Sequence, residues 1–243
     1  MNAMIEMLQK RGIKAVLFDK DGTLLDFEKT WRPMLEHFGK VLVEEFHLTE
    51  EQQASLLHRL GVDQNGYQPN SVFVKDHLEE IVQTAVSDPL LTMKQSQGLE
   101  QFLRAFLATD ETNKIVKPHM FESVPQVLSN LKHQGFLLGV VTSDMEETAQ
   151  GHLDVLELTP YIDFLAGDNG TRPVKPHRAV LDEFCETFGV QAQDVAMVGD
   201  SMNDMRFAVD NGMGCAIFVQ SCYPDDDAQN LADFVFSGVG DFL

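Results

Sequence analysis

Val16-Leu17-Phe18-Asp19-Lys20-Asp21-Gly22-Thr23-Leu24 opens as an apolar run and turns abruptly to charge. With Ala15 in front, the run shows no alternation, which is the pattern of a strand buried on both faces of a parallel sheet. Two carboxylates follow, two residues apart, and then Gly22, which permits a sharp turn. Open α/β sheets place their chemistry where strands deliver residues at their carboxyl ends. Carboxylates this close repel, and each prefers its proton unless a cation shares the site. A hard divalent ion such as Mg2+ with oxygen ligands is the usual remedy.

Outward from this stretch the chain has two rhythms. Residues 1–12 read as a short amphipathic helix closed by Gly12, and Ile13–Phe18 as the first strand. Asp19–Thr30 reads as a turn and an irregular excursion. From Trp31 to Lys117 the pattern is helical. Met34, Leu35, Phe38, Val41, Leu42 and Phe46 keep helical spacing, and Thr49-Glu50-Glu51-Gln52 is a capping box opening a helix through Leu60. Gly61–Asn70 is a turn-rich loop. Further helices are expected over Ser71–Val86 and Met93–Thr109, separated by the Asp88-Pro89 break. This is a small helical domain over residues 31–117, inserted after the first strand.

Beyond Pro118 strands and helices alternate. Strands are expected at Phe136–Val141, Ile162–Ala166, Val195–Val198, Cys215–Val219 and Asp233–Phe236, with helix-length segments between them. The fold class is therefore α/β, a doubly wound parallel sheet of Rossmann-like type, formed by residues 1–30 and 118–243.

The 243 residues carry 18 basic and 38 acidic side chains, a net charge of −20. Nucleic acid and anionic membrane surfaces both call for basic patches, so neither is an expected partner. An apolar content of 44% suits a soluble protein with a sizeable core. Cys185, Cys215 and Cys222 lack metal spacing and read as reduced thiols. The N-terminus has no signal-peptide pattern, and no apolar run nears the roughly 20 residues that span a bilayer. A cytoplasmic protein is expected, as monomer or homodimer.

Three other strand ends carry polar residues. Thr142-Ser143 follows Val140-Val141, and a hydroxyl there, with N–H groups of a following helix, would make an anion cradle. Lys175 is the only lysine between Thr142 and the chain end. Pro176 after it suggests a first helical position, with Arg172, Arg178 and Arg206 as competing cations. Val198-Gly199-Asp200-Ser201-Met202-Asn203-Asp204 aims a further carboxylate at the sheet edge, with Asp204 four residues on.

These four stretches, in this order and at these strand ends, resemble the motifs of the haloacid dehalogenase-like hydrolase superfamily. The phosphoglycolate phosphatase-like group, with a helical cap inserted at this point, is the most similar. Lys175-Pro176-His177-Arg178 departs from that group's frequent Lys-Pro-x-Pro form. The resemblance implies a phosphatase in which Asp19 is the nucleophile, forming an aspartyl-phosphate. Asp21 would be the general acid and then the general base, so it must carry a proton when Asp19 does not. Mg2+ would be held by Asp19, the Asp21 carbonyl and Asp200, while Thr142, Ser143 and Lys175 would bind the phosphoryl group. Asp204 would orient Lys175 or a metal-bound water. The insertion would act as a lid, with hinges near Phe27–Pro33 and Lys114–Met120, and with His58 and Asn70 as candidate specificity residues.

The substrate expected is a small phosphorylated metabolite such as 2-phosphoglycolate. A phosphomutase of the β-phosphoglucomutase type would use the same groups and return the phosphoryl group to a sugar. A receiver-like phospho-acceptor module shares the acidic pair, Thr/Ser and Lys, but has no use for a long helical insertion or for an acid/base at Asp21. Dehalogenase chemistry likewise has no use for Asp21.

Overall fold

The computed structural model describes residues 3–63, 66–68, 71–72, 78–107, 115–220 and 225–243. The chain divides into two compact units, Met1–Phe27 with Pro118–Leu243, and Glu28–Lys117.

The first unit holds β1 (Ala15–Phe18), β4 (Leu137–Met145), β5 (Phe164–Asp168), β6 (Val195–Gly199), β7 (Cys215–Val219) and β8 (Phe234–Phe236). They form one sheet in the order β5-β4-β1-β6-β7-β8, and every pairing is parallel. Along β1 successive residues serve opposite faces, as strand geometry requires. Val16 and Phe18 join the cluster containing Leu8 of α1 (Ala3–Lys10), Leu128 of α6 (Val124–His133) and Leu153 of α7 (Glu146–Val155). Ala15 and Leu17 join the opposite cluster, with Phe184 of α8 (Ala179–Phe188) and Phe207 of α9 (Met202–Asp210). All four β1 residues are buried, which is why the sequence shows no alternation there.

From β1 the chain steps through β4 to β5, then returns to the other side of β1 at β6. The direction of winding reverses at β1, so the carboxyl ends of β1, β4 and β6 border the crevice where such sheets bind ligands.

Four elements depart from the sequence reading. Helix α2 (Phe27–Glu44) begins earlier than expected and runs through Pro33. A proline inside a helix removes one backbone bond. The buried face formed by Phe27, Met34, Phe38, Val41 and Leu42 outweighs that loss. Strand β4 continues through Thr142-Ser143-Asp144 to Met145, with a register shift between Val141 and Met145. Helix α7 opens at Glu146, so the Thr142 and Ser143 hydroxyls lie on the strand and not in the first turn of the helix. Helix α8 opens at Ala179, so Pro176 is not a first helical residue; Lys175 and Pro176, joined by a cis peptide bond, lie within a turn closed by His177 N–H donating to Val174 O. The loop after α3 (Glu50–Arg59) contains a short antiparallel hairpin, β2 (Val62–Asp63) with β3 (Gly66–Tyr67).

The second unit also contains α4 (Leu78–Val86) and α5 (Met93–Leu107). The start of the helix expected over Ser71–Val86 and the end of the one expected to Thr109 lie outside the described residues. Phe102 stacks on Phe38 and meets Phe46 edge-on. The capping box at α3 forms as its residues require, Gln52 N–H donating to Thr49 Oγ1 and Thr49 N–H to Gln52 Oε1. Among the described residues no helix is long and apolar enough to cross a membrane.

Candidate active site

Register brings the acidic motif and two of the other stretches to one edge. Phe18 of β1 pairs with Val140 of β4 and Val198 of β6. Asp19 directly follows β1 and donates its N–H to Val198 O at 2.8 Å. Thr142 and Asp200 each stand two residues beyond the partners of Phe18. Thr142 is buried, and its Oγ1 accepts from Asp144 N–H. Ser143 beside it is half-buried.

Lys175 arrives from the turn before α8. Its Nζ donates to Asp19 Oδ1 and Asp204 Oδ1, each at 2.6 Å, and the lysine is 3% exposed. The competing arginines are engaged elsewhere or face outward. Arg172 pairs with Glu146 and Glu183, Arg178 pairs with Asp182, and Arg206 is exposed. Asp204 is the third residue of α9, and its Oδ2 accepts from Ser201 N–H and Ser201 Oγ–H in a reciprocal cap. Both its oxygens are thus committed, one to the cap and one to the lysine.

Asp200 completes the group. One oxygen each from Asp19, Asp200 and Asp204 lie within 4.8 Å of one another. Thr23 Oγ1 donates to Asp200 Oδ1 at 3.3 Å. Gly22 is required twice over. Its φ of +85° suits glycine, and a Cβ there would stand 2.1 Å from Asp200 Oδ2. Gly199 is constrained in the same way, because a Cβ would lie 2.3 Å from Asp204 Cγ.

The charges do not balance. Even at the 4.8 Å outer limit of the group, two carboxylate charges repel by roughly 3 kcal/mol at an effective dielectric near 20. Lys175 supplies one positive charge against three negative ones. Burial pushes the Asp19 carboxyl up, to about 7, with Lys175 opposing and Asp204 and Asp21 reinforcing. Burial disfavours the charge on Lys175, but Asp19 and Asp204 outweigh it and hold the ammonium charged. Asp204 is fastened at both oxygens, so the shortage of positive charge falls on Asp19. In the protein alone Asp19 is driven toward its protonated form, the reverse of what a nucleophile needs.

That imbalance tests whether a metal fits. The donors are all oxygens, they converge, and Gly22 leaves Asp200 the space beside the turn. A hard divalent cation matches this set. Asp19 and Asp200 are the carboxylates available to it.

A second ionic group adjoins the first. Lys20 is wholly buried. Its Nζ lies 2.5 Å from Asp21 Oδ2, 3.1 Å from Asp144 Oδ2 and 3.2 Å from His152 Nδ1. Burial opposes the charge on Lys20, while Asp21 and Asp144 outweigh it and raise its pKa. Burial, with Lys20 adding to it, pushes His152 down to about 4, so its ring is neutral. The sequence reading passed over Lys20, Asp144 and His152, and also Thr23 and Ser201. Lys20 carried the one visible signal, a cation between two acids directly after a buried strand. The contacts of Asp144 and His152 with Lys20 join residues more than a hundred positions apart.

In the inserted unit, His58 is an exposed residue in the last turn of α3. Asn70 lies outside the described residues.

A family model described as haloacid dehalogenase-like hydrolase matches residues 16–218. A phosphoglycolate phosphatase from Aquifex aeolicus is 25% identical over 196 residues, covering 80% of this chain and 79% of its own. The pyrophosphatase PpaX of Halalkalibacterium halodurans is 23% identical over 234 residues, covering 95% of each chain. The crystal structure of a predicted phosphoglycolate phosphatase from Haemophilus somnus superimposes with a TM-score of 0.68 at 21% identity, over 95% of this chain and 96% of that one. A family match spanning most of the sequence, over a sheet that gathers Asp19, Lys175, Asp200 and Asp204 at one edge, makes this chain a member of the haloacid dehalogenase-like hydrolase family.

Proposed function

We propose that this hydrolase is a Mg2+-dependent phosphatase acting on a small phosphorylated metabolite of the 2-phosphoglycolate class through an aspartyl-phosphate. The observation that carries the reading is Lys175 Nζ set 2.6 Å from both Asp19 and Asp204, with Asp200 drawn into the same group. A carboxylate gripped by a buried ammonium at the edge of a parallel sheet is a positioned nucleophile facing the place where a phosphoryl group would enter.

In the proposed reaction a carboxylate oxygen of Asp19 bonds to phosphorus and the bond to the leaving oxygen breaks. Asp21 gives that oxygen a proton. Water then attacks the phosphorus of the aspartyl-phosphate, Asp21 takes a proton back, and Asp19 is freed with inorganic phosphate. Lys175 neutralises charge on Asp19 and the phosphoryl oxygens, and Asp204 fixes the lysine. Thr142 and Ser143 donate hydroxyl hydrogens to the phosphoryl group. Asp19, the Asp21 carbonyl and Asp200 would hold Mg2+, whose charge keeps Asp19 ionised and offsets the phosphate. Residues 31–117 form the specificity domain in this reading, with His58 and Asn70 as its candidates. The free thiols Cys185 and Cys215 suit a cytoplasmic setting.

Replacing Asp19 by Asn should lower phosphate release by roughly 10^3-fold or more while the thermal melt stays cooperative. An Asp19→Asn variant that keeps wild-type turnover would overturn the mechanism. The pyrophosphatase relative supports a second reading for the same site, hydrolysis of a phosphoanhydride. Inorganic pyrophosphate and 2-phosphoglycolate assayed side by side separate the two.

A further inference from the structure

Lys20 is an expensive residue to place where it stands. A wholly buried ammonium loses its hydration, and an apolar side chain of similar volume would fill the space at less cost. The charge is nevertheless provided for from three directions: Asp21 on its own loop, Asp144 at the end of β4 and His152 on α7. Asp144 is itself held in place, its Oδ1 accepting from Met145 N–H at 2.8 Å and its N–H donating to Thr142 Oγ1 at 3.1 Å. The two carboxylates that share Lys20 keep 16% of their side chains exposed, while the lysine beneath them is sealed. His152 meets the ammonium with a ring nitrogen, and an ammonium can only donate, so Nδ1 is the acceptor and the ring hydrogen sits on Nε2.

We infer that Lys20, anchored by Asp144 and His152, is a positioning residue that fixes the Asp21 carboxyl by its Oδ2, so that the other oxygen is presented in one orientation to the leaving group. The inference rests on the acid role assigned to Asp21 under the proposed function. Two carboxyl groups, one on the loop after β1 and one on β4, clamped by one cation are limited in their rotation, and orientation is what a general acid needs.

The test is leaving-group dependence. p-Nitrophenyl phosphate departs as a stabilised anion and needs little protonation, whereas 2-phosphoglycolate must shed an alkoxide and needs a full proton. With Asp21→Asn, turnover of 2-phosphoglycolate should fall by about 10^2-fold or more and that of p-nitrophenyl phosphate by less than about 10-fold. Lys20→Met should reproduce this selective pattern in kcat with KM little changed. Lys20→Met/Asp144→Leu, which removes an anion together with the cation, serves where the single variant does not fold. If Asp21→Asn depresses both substrates equally, the acid role fails and the inference falls with it. If Asp21→Asn is selective while a folded Lys20 variant keeps the wild-type ratio, or if neither Lys20 variant folds, the inference alone is overturned, because Lys20 then serves the fold.

Discussion

At the scale of single residues, this protein spends stability to keep polar groups beneath its sheet edge. His152 is the measurable case. Its pKa is lowered from 6.5 to about 4 because burial, and then the Lys20 ammonium, disfavour the charged ring. A group depressed on folding contributes its stability above its unfolded pKa and loses it as pH falls through the folded value. Between pH 6.5 and 4 the neutral ring should therefore forfeit roughly 3 kcal/mol. His152→Gln retains an acceptor for Lys20 without a titrating ring. Urea midpoints across that range should fall less steeply in the variant than in the parent, and parallel slopes would exclude His152 as the cause.

At the scale of elements, local chemistry was legible where it closes on itself. The box at Thr49 and Gln52 forms from four consecutive residues, so it could be read directly. Thr49→Ala should cost about 1 kcal/mol, seen as a lower midpoint at an unchanged denaturant slope. Gly189 closes α8 in the left-handed conformation at φ +66°, which glycine adopts without steric cost. The misreadings came where packing overrules local preference. Pro33 looks like a boundary in a string of letters, yet the buried face of α2 carries the helix past it. The strand expected to end at Val141 goes on, because pairing with β5 keeps β4 extended as far as Met145. Lys175-Pro176 looks like a helix start, yet the helix waits until Ala179.

At the scale of the molecule, three acids converge and one lysine pairs with two of them, and the deficit of charge is a prediction about metal. Mg2+ binding to the folded chain alone should raise its stability by RT ln(1 + [Mg2+]/Kd), about 2.7 kcal/mol at a hundredfold excess over Kd. The melting temperature should rise with added Mg2+ and fall back with chelator. Asp200→Asn should abolish most of that rise while leaving the metal-free melt near or above the parent's, since it removes one of the repelling charges. An Asp200→Asn protein stabilised by Mg2+ as fully as the parent would refute the site.

By itself the sequence determined the parallel sheet, three motifs at its strand ends and the lysine in the loop after β5. It could do so because burial on both faces erases alternation, and because Asp, Gly, Thr and Lys leave their mark in the residues next to them. Only the tertiary structure decided that Asp204 is spent on Lys175, that Thr23 steadies Asp200, and that Lys20 is buried against Asp144 and His152. Those contacts join residues far apart in the chain, and which side chain a buried charge meets depends on strand register and helix packing, neither of which is written in any local stretch.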